Sequence, residues 1–261
     1  MKRSKNKNLG TPKEIKQKII KLFNERVKGR VPDTSFSNVR HDGKGGHWLE
    51  TQMGIAHNAS NSPDLYGFEM KNDTTSKTTF GDWSADSYIF REAKYGIDRD
   101  QFIKIFGAPN PNKNNRYSWS GKPIPKIGSY NSFGQILRID KDKNISAVYS
   151  FTKDERPHKR NIIPKSMQRE NLVIAQWSAG MMKKRVEEKF NKLGWFKCLK
   201  NRNGIYSEIV FGSRMTFDFW IDEVRRGKIF FDSGMYQGNK RPYSQWRADN
   251  KYWDSLITDR Y

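Results

Sequence analysis

The chain holds a single cysteine, Cys198, in 261 residues. One cysteine excludes an intramolecular disulfide framework and any Cys-rich zinc module. Its neighbours in Trp195-Phe196-Lys197-Cys198-Leu199 mark it as a small buried hydrophobe in a reducing compartment. No apolar run approaches the ~20 residues of a membrane-spanning helix, and the basic first residues lead into no apolar h-region. A soluble, cytoplasmic protein that is not exported is therefore expected. Internal repeats are absent, and acidic side chains are scarce: 28 Asp+Glu face 49 Lys+Arg, for a net charge of +21 and a pI near 9.9. Such an excess concentrates polyanions at the surface and predicts salt-dependent binding to nucleic acid. Ribosomal and membrane-surface proteins share the sign of charge. The tryptophans are scattered rather than gathered on one basic amphipathic helix, which weakens the membrane reading. Hydrophobic residues make up only 35%, yet eight Trp and sixteen Phe supply enough apolar area for a packed globular core.

Along the chain, residues 1–10 form a polar, basic arm. Thr11 and Pro12, followed by Glu14, give a helix start whose apolar face carries Ile15, Ile19, Leu22 and Phe23. Gly29 and Pro32 end it. A short helix is expected over 45–54, a Pro/Asn-rich loop over 58–63, and a strand over 66–71. In that strand Phe68 and Met70 alternate with Glu69 and Lys71, which places the two charged side chains on one face. Residues 107–128, rich in Pro, Asn, Gly and Lys, suggest a long loop or interlobe connection. Strands over 134–139 and 145–151 flank a turn at 140–144. That turn lacks the glycine and distal glutamate of a calcium loop and is expected to be a plain hairpin turn. The C-terminal third has an α/β pattern. A helix over 179–193, capped by Ser178 with Met182, Val186 and Phe190 at spacing four, ends at Gly194. Strands over 195–199 and 205–211 follow. A helix over 214–226, with Phe217, Trp220, Ile221 and Val224, then leads through Gly227 into a strand over 228–233.

The chemistry-bearing segment is Pro63-Asp64-Leu65-Tyr66-Gly67-Phe68-Glu69-Met70-Lys71. Phosphodiester hydrolysis needs a divalent cation to polarise the phosphate and generate hydroxide. Mg²⁺ takes hard oxygen ligands and keeps several waters, so one or two carboxylates suffice. Asp64, before the strand, and Glu69, within it, converge on one ion in this reading. Lys71, on the face of Glu69, can orient the attacking water or stabilise developing negative charge. The pattern Pro-Asp-x₄-Glu-x-Lys matches the PD-(D/E)xK nuclease signature, although Glu-x-Lys alone also occurs on solvated strand edges.

Upstream lies Gly46-His47-Trp48-Leu49-Glu50-Thr51-Gln52-Met53-Gly54. This resembles the MutH superfamily, in which a helix of the form Gly-x-x-Leu-Glu-x-x-Leu-Gly supplies a glutamate to the same site. The closer resemblance is to the MvaI/BcnI restriction endonucleases, firmest over 43–71 and weaker over 179–199, 214–233 and 234–247. Met53 stands where that family usually has Leu, and the histidines found near the site in some relatives have no counterpart that can be placed here. Four implications follow from the resemblance. The fold is a mixed α/β sheet flanked by helices, a PD-(D/E)xK core with two lobes around a DNA-binding cleft: 11–106 catalytic and 129–261 carrying the remaining sheet and DNA recognition. Asp64, Glu69 and Lys71 are the catalytic residues, joined by Glu50, with Asp64, Glu69 and Glu50 about one or two Mg²⁺ ions for which Mn²⁺ or Ca²⁺ can substitute in binding. The activity is that of a type II restriction endonuclease on double-stranded DNA, leaving 5′-phosphate and 3′-hydroxyl ends, by a monomer that nicks each strand in turn. A cognate DNA methyltransferase is the expected companion, with no obligate protein partner.

In the resembling enzymes the region corresponding to 234–247 reads bases in the major groove. Here it offers Arg241, Gln245 and Arg247, with Lys240 and Tyr243 as further contacts. Arginine pairs bidentately with guanine and glutamine with adenine, although a basic loop touching only phosphate has the same composition. Lys44, in the glycine-rich turn, suits a phosphate contact or plain exposure, and His41 and His47 suit surface or phosphate roles. The first thirty residues, with eleven Lys/Arg and two Glu, suit either a solvated tail or a backbone clamp. Two other readings are a MutH-like nicking enzyme that needs a partner, and a non-catalytic DNA-binding protein with a charged strand edge.

Overall fold

The structure is a computed structural model that describes residues 10–33, 44–55 and 61–261, with Lys44 described by its backbone only. The basic arm up to residue 9, His41 and His57 lie outside the described residues. The chain divides into two compact units interleaved in sequence: Met1–Thr78, Glu187–Thr216 and Asn250–Tyr261 in the first, Thr79–Val186 and Phe217–Asp249 in the second. Contiguous lobes at 11–106 and 129–261 do not coincide with these units, because strand pairing recruits 195–212 and 257–260 to the first unit. Among the described residues no helix is long and apolar enough to cross a membrane.

The first unit is built on a four-stranded sheet. Glu69–Asn72 runs parallel to Trp195–Lys200, which pairs antiparallel with Tyr206–Gly212, and that strand pairs antiparallel with Ile257–Arg260. One face of the sheet is apolar. Met70, Phe196, Cys198, Ile209 and Phe211 pack with Ile15, Ile19, Ile20 and Phe23 of the Pro12–Arg26 helix and with Leu49 and Met53 of the Lys44–Gln52 helix. The first helix starts as its sequence dictates. Thr11 accepts from the Glu14 backbone N–H while the Glu14 carboxylate accepts from the Thr11 N–H, a reciprocal capping box. The opposite face receives Glu69, Lys71 and Trp195 by the two-residue alternation of the strands.

The expected strand over 66–71 begins later, at Glu69. Tyr66 and Gly67 both have positive φ, 51° and 94°, and make a two-residue turn closed by Leu65 and Phe68 bonding to each other in both directions. Glycine adopts that conformation without steric cost, so local turn geometry outweighs the alternating pattern.

The second unit holds an antiparallel sheet in the order Ser87–Tyr88, Leu172–Trp177, Ile145–Asp154, Phe133–Ile139. Residues 140–144 are the hairpin turn expected, with Asp140 Oδ1 accepting the backbone N–H groups of Asp142 and Asn144, each at 2.9 Å. A second sheet joins Ile229–Asp232, Gln245–Asp249 and Lys77–Asp82, the last of these lying largely in this unit. The stretch 107–128 is no interlobe connection. It lies inside this unit and contributes Ala108–Asn110 and Arg116–Trp119 to a third sheet with Met235–Tyr236. Pro109 is the central residue of Ala108–Asn110, an edge strand of that sheet, where proline is tolerated, so composition alone hid two strands. The helix expected over 214–226 spans Phe217–Arg225. Trp119, Trp177, Trp220 and Trp246 are fully buried, and Trp246 meets Trp177 at 5.5 Å and Trp220 at 5.1 Å between ring centres. These edge-to-face contacts add to the aliphatic packing of the same core, which includes buried Ile145, Val148, Ile174, Ile221 and Ile229.

Candidate active site

The turn at Tyr66–Gly67 folds Asp64 back along the strand that follows it. The Met70 backbone N–H donates to Asp64 Oδ2 at 2.9 Å, so the aspartate is fixed beside Glu69 by the main chain. Glu69 is 2% exposed, and Lys71 Nζ donates to its Oε1 at 2.9 Å. The structure thus brings Asp64, Glu69 and Lys71 together.

A fourth group joins them that the sequence reading missed. Lys189, in the last turn of the Ala179–Phe190 helix, places its Nζ 3.1 Å from the same Glu69 Oε1. Two ammonium groups therefore hold one carboxylate oxygen, while Glu69 Oε2 is buried with no hydrogen-bond partner among the described residues. Lys189 was open to detection, since it follows Val186 by three positions and lies beside the buried face of Met182, Val186 and Phe190. Beyond it, Lys197, the register partner of Lys71, is 1% exposed and sits 3.4 Å from Asp73. Aromatic rings wall the cluster: Lys71 Nζ lies 5.1 Å from the Phe190 ring centre and 5.9 Å from that of Trp253.

Burial, opposed by the Glu69 carboxylate, pulls the Lys71 ammonium below its ordinary value. Asp64 shifts up, to about 7, through removal of water first and the Glu69 charge second, with the Met70 N–H and the two lysines opposing. One side of Asp64 remains exposed; water there moderates the desolvation, and the upward direction is what the packing and the neighbouring carboxylate support. The arrangement fits a divalent cation. Two carboxylates crowd together, one presents a buried oxygen without a donor, and a hard ion of the Mg²⁺ type binds through one or two carboxylates.

Glu50 is placed differently. Its Oε2 stands 3.8 Å from His47 Nδ1 within the Lys44–Gln52 helix. Among the described residues no three His, Cys, Asp or Glu side chains are gathered into a metal-holding group. The helix itself is anchored by buried Leu49 and Met53 and by Trp48 stacked on Tyr206 at 5.7 Å.

A family model for the LlaMI restriction endonuclease matches residues 27–261. The chain belongs to the LlaMI restriction endonuclease family. It is 50% identical over 264 residues to the type II restriction enzyme ScrFI of Lactococcus lactis subsp. cremoris, an alignment covering 94% of this chain and 97% of that one. Its fold is similar to that of the restriction endonuclease MvaI solved in complex with cognate DNA, with a TM-score of 0.61, 13% identity and 99% of each chain covered. Membership of the LlaMI family makes the chain a type II restriction enzyme, a site-specific deoxyribonuclease acting on DNA, and sets aside the non-catalytic reading. The PD-(D/E)xK-type fold expected from the resemblance is the fold observed.

The residues expected to read DNA lie in the second unit, apart from Lys44. Lys240 and Arg241 are exposed; Arg241 pairs with Asp82 at 2.8 Å and packs its guanidinium 4.5 Å from the Tyr243 ring centre. Gln245 and Arg247 alternate with buried Trp246 and Ala248 on one strand, which turns both polar side chains to the same outer face. They contact each other, and Arg247 Nη1 lies 3.3 Å from Asp232.

Proposed function

We propose that this LlaMI-family enzyme cuts both strands of DNA at a fixed sequence with Mg²⁺ as its metal and leaves 5′-phosphate and 3′-hydroxyl ends. Asp64, Glu69 and Lys71 are its catalytic residues in this reading, with Glu50 an outer carboxylate of the same site. The reading rests above all on Glu69, buried, held at one oxygen by two lysines and with its other oxygen unsatisfied among the described residues. A buried carboxylate oxygen without a donor is costly, and a divalent cation relieves that cost together with the repulsion from Asp64. Restriction endonucleases generally use a divalent metal, and Mg²⁺ supplies polarisation of the scissile phosphate and a more acidic water. The protein's own groups do the positioning. Lys71 and Lys189 fix the rotation of the Glu69 carboxylate, the Met70 N–H fixes Asp64, and the ammonium of Lys71 orients water or offsets the charge that develops on phosphate oxygens.

The enzyme acts as a monomer that nicks one strand and then the other. On supercoiled plasmid with Mg²⁺, nicked circles should appear before linear molecules, and sequencing the ends gives the recognition site and the cut position. Glu69→Gln should keep DNA binding and lose cleavage by about 10²–10³-fold or more. Wild-type cleavage by that variant would sink the assignment. A reaction that stops at the nick would instead favour a MutH-like enzyme awaiting a partner.

A further inference from the structure

We infer that Arg116 is a specificity-determining residue that reads a guanine through its paired terminal amino groups. This rests on the site-specific cleavage that LlaMI-family membership carries, and not on the assignment of Asp64, Glu69 and Lys71.

Arg116 opens the Arg116–Trp119 strand, the central strand of the small sheet that includes Met235–Tyr236. Its guanidinium carbon lies 3.5 Å from the Tyr236 ring centre. That is van der Waals contact, the spacing of a guanidinium laid flat on an aromatic face. The group is half-buried, and its Nε is covered without an acceptor. None of its nitrogens bonds or pairs with a described residue.

The neighbouring arginines differ in this respect. Arg241 is paired with Asp82, Arg247 with Asp232, and Arg99 bonds the Asn239 carbonyl and approaches Asp100. In each the charge is met by the protein. Arg116 is laid against Tyr236, yet among the described residues nothing accepts from its guanidinium.

The mounting is rigid. Gln237 Oε1 accepts from the Tyr117 N–H at 2.9 Å, and the Gln237 N–H donates to the Tyr117 carbonyl at 3.0 Å. The Asn239 side chain accepts from the Tyr236 N–H at 2.6 Å. Strand and turn thus lock the ring on which the guanidinium lies. A planar fork on a fixed strand suits a partner with two acceptors side by side, and among base edges guanine offers that through O6 and N7. A phosphate also offers two oxygens to such a fork but carries no sequence information, so the sequence dependence of the loss separates the two contacts.

The test starts from the recognition sequence obtained by end sequencing. Lys at 116 keeps the charge and removes the fork, so Arg116→Lys and Arg116→Gln are assayed on the cognate duplex and on every single-base-pair variant. Both should lose about 10- to 100-fold in kcat/KM on the cognate site and lose discrimination at one G·C position, with unchanged melting temperature. In the wild-type enzyme, 7-deazaguanine at that position should impose a comparable loss, and it should impose little further loss on Arg116→Lys. Wild-type cleavage by Arg116→Lys would overturn the inference. So would an equal loss on all sequences with a shallower salt dependence, the mark of a phosphate contact, or a loss that tracks a lowered melting temperature.

Discussion

Asp64 carries an electrostatic conflict that the folded chain does not resolve on its own. Its carboxyl holds a proton up to about pH 7 in the fold, against an ordinary value of 3.8. Between about pH 4 and 7 the folded state therefore binds a proton that the unfolded state has released, and stability from this group falls as pH rises through that window. Asp64→Asn removes the conflict. Without divalent metal the variant should equal the wild type near pH 4 and exceed it by about 1–2 kcal/mol at pH 8, a figure discounted for the solvent on the exposed side of Asp64. Urea unfolding in EDTA at the two pH values measures this, and parallel pH dependence of the two proteins would contradict it. The trio itself was legible in the sequence because its members lie within eight residues, where turn and strand geometry confine them. The solvated strand edge, equally compatible with Glu-x-Lys, is excluded by the burial of Glu69 and Lys71, and burial is a tertiary property.

At the scale of elements, the Ala179–Phe190 helix does two jobs with adjacent residues. Phe190 packs against Trp253 at 6.3 Å and stands under the Lys71 ammonium, while Lys189 reaches Glu69. The apolar spacing of Met182, Val186 and Phe190 announces the helix, but nothing in that spacing says which strand it covers. Lys189→Met should keep the helix and lose one of the two cations on Glu69. Cleavage should fall about tenfold to hundredfold, the scale of a charge-assisted hydrogen bond, with far-ultraviolet dichroism unchanged and Lys189→Arg recovering most of the rate. Equal activity of the Met and wild-type proteins would leave Lys189 outside the machinery. The strands within 107–128 show the converse. Proline, asparagine and glycine describe turns well, and a three-residue strand such as Ala108–Asn110 offers too few positions for alternation to register against them.

At the scale of the whole molecule, a net charge of +21 sets the strength of DNA association through release of counterions. With about six to ten phosphate contacts, affinity should drop about 10³–10⁵-fold between 50 and 200 mM salt. Fluorescence anisotropy on non-specific duplex reads the slope, and a flat response would show that the charge is spent within the protein. Composition, charge, the capping box at Thr11 and the local Asp64–Lys71 motif were determined by the sequence alone, because each depends on residues adjacent in the chain or on a sum over all of them. Three features were decided only by the tertiary structure: the interleaving of the two units, the arrival of Lys189 at Glu69, and the stacking of Arg116 on Tyr236. Each joins residues more than a hundred positions apart, and strand pairing and burial, not neighbouring residues, choose such partners. The acidic–lysine cluster at Asp64, Glu69 and Lys71 is therefore a local motif completed by a distant helix.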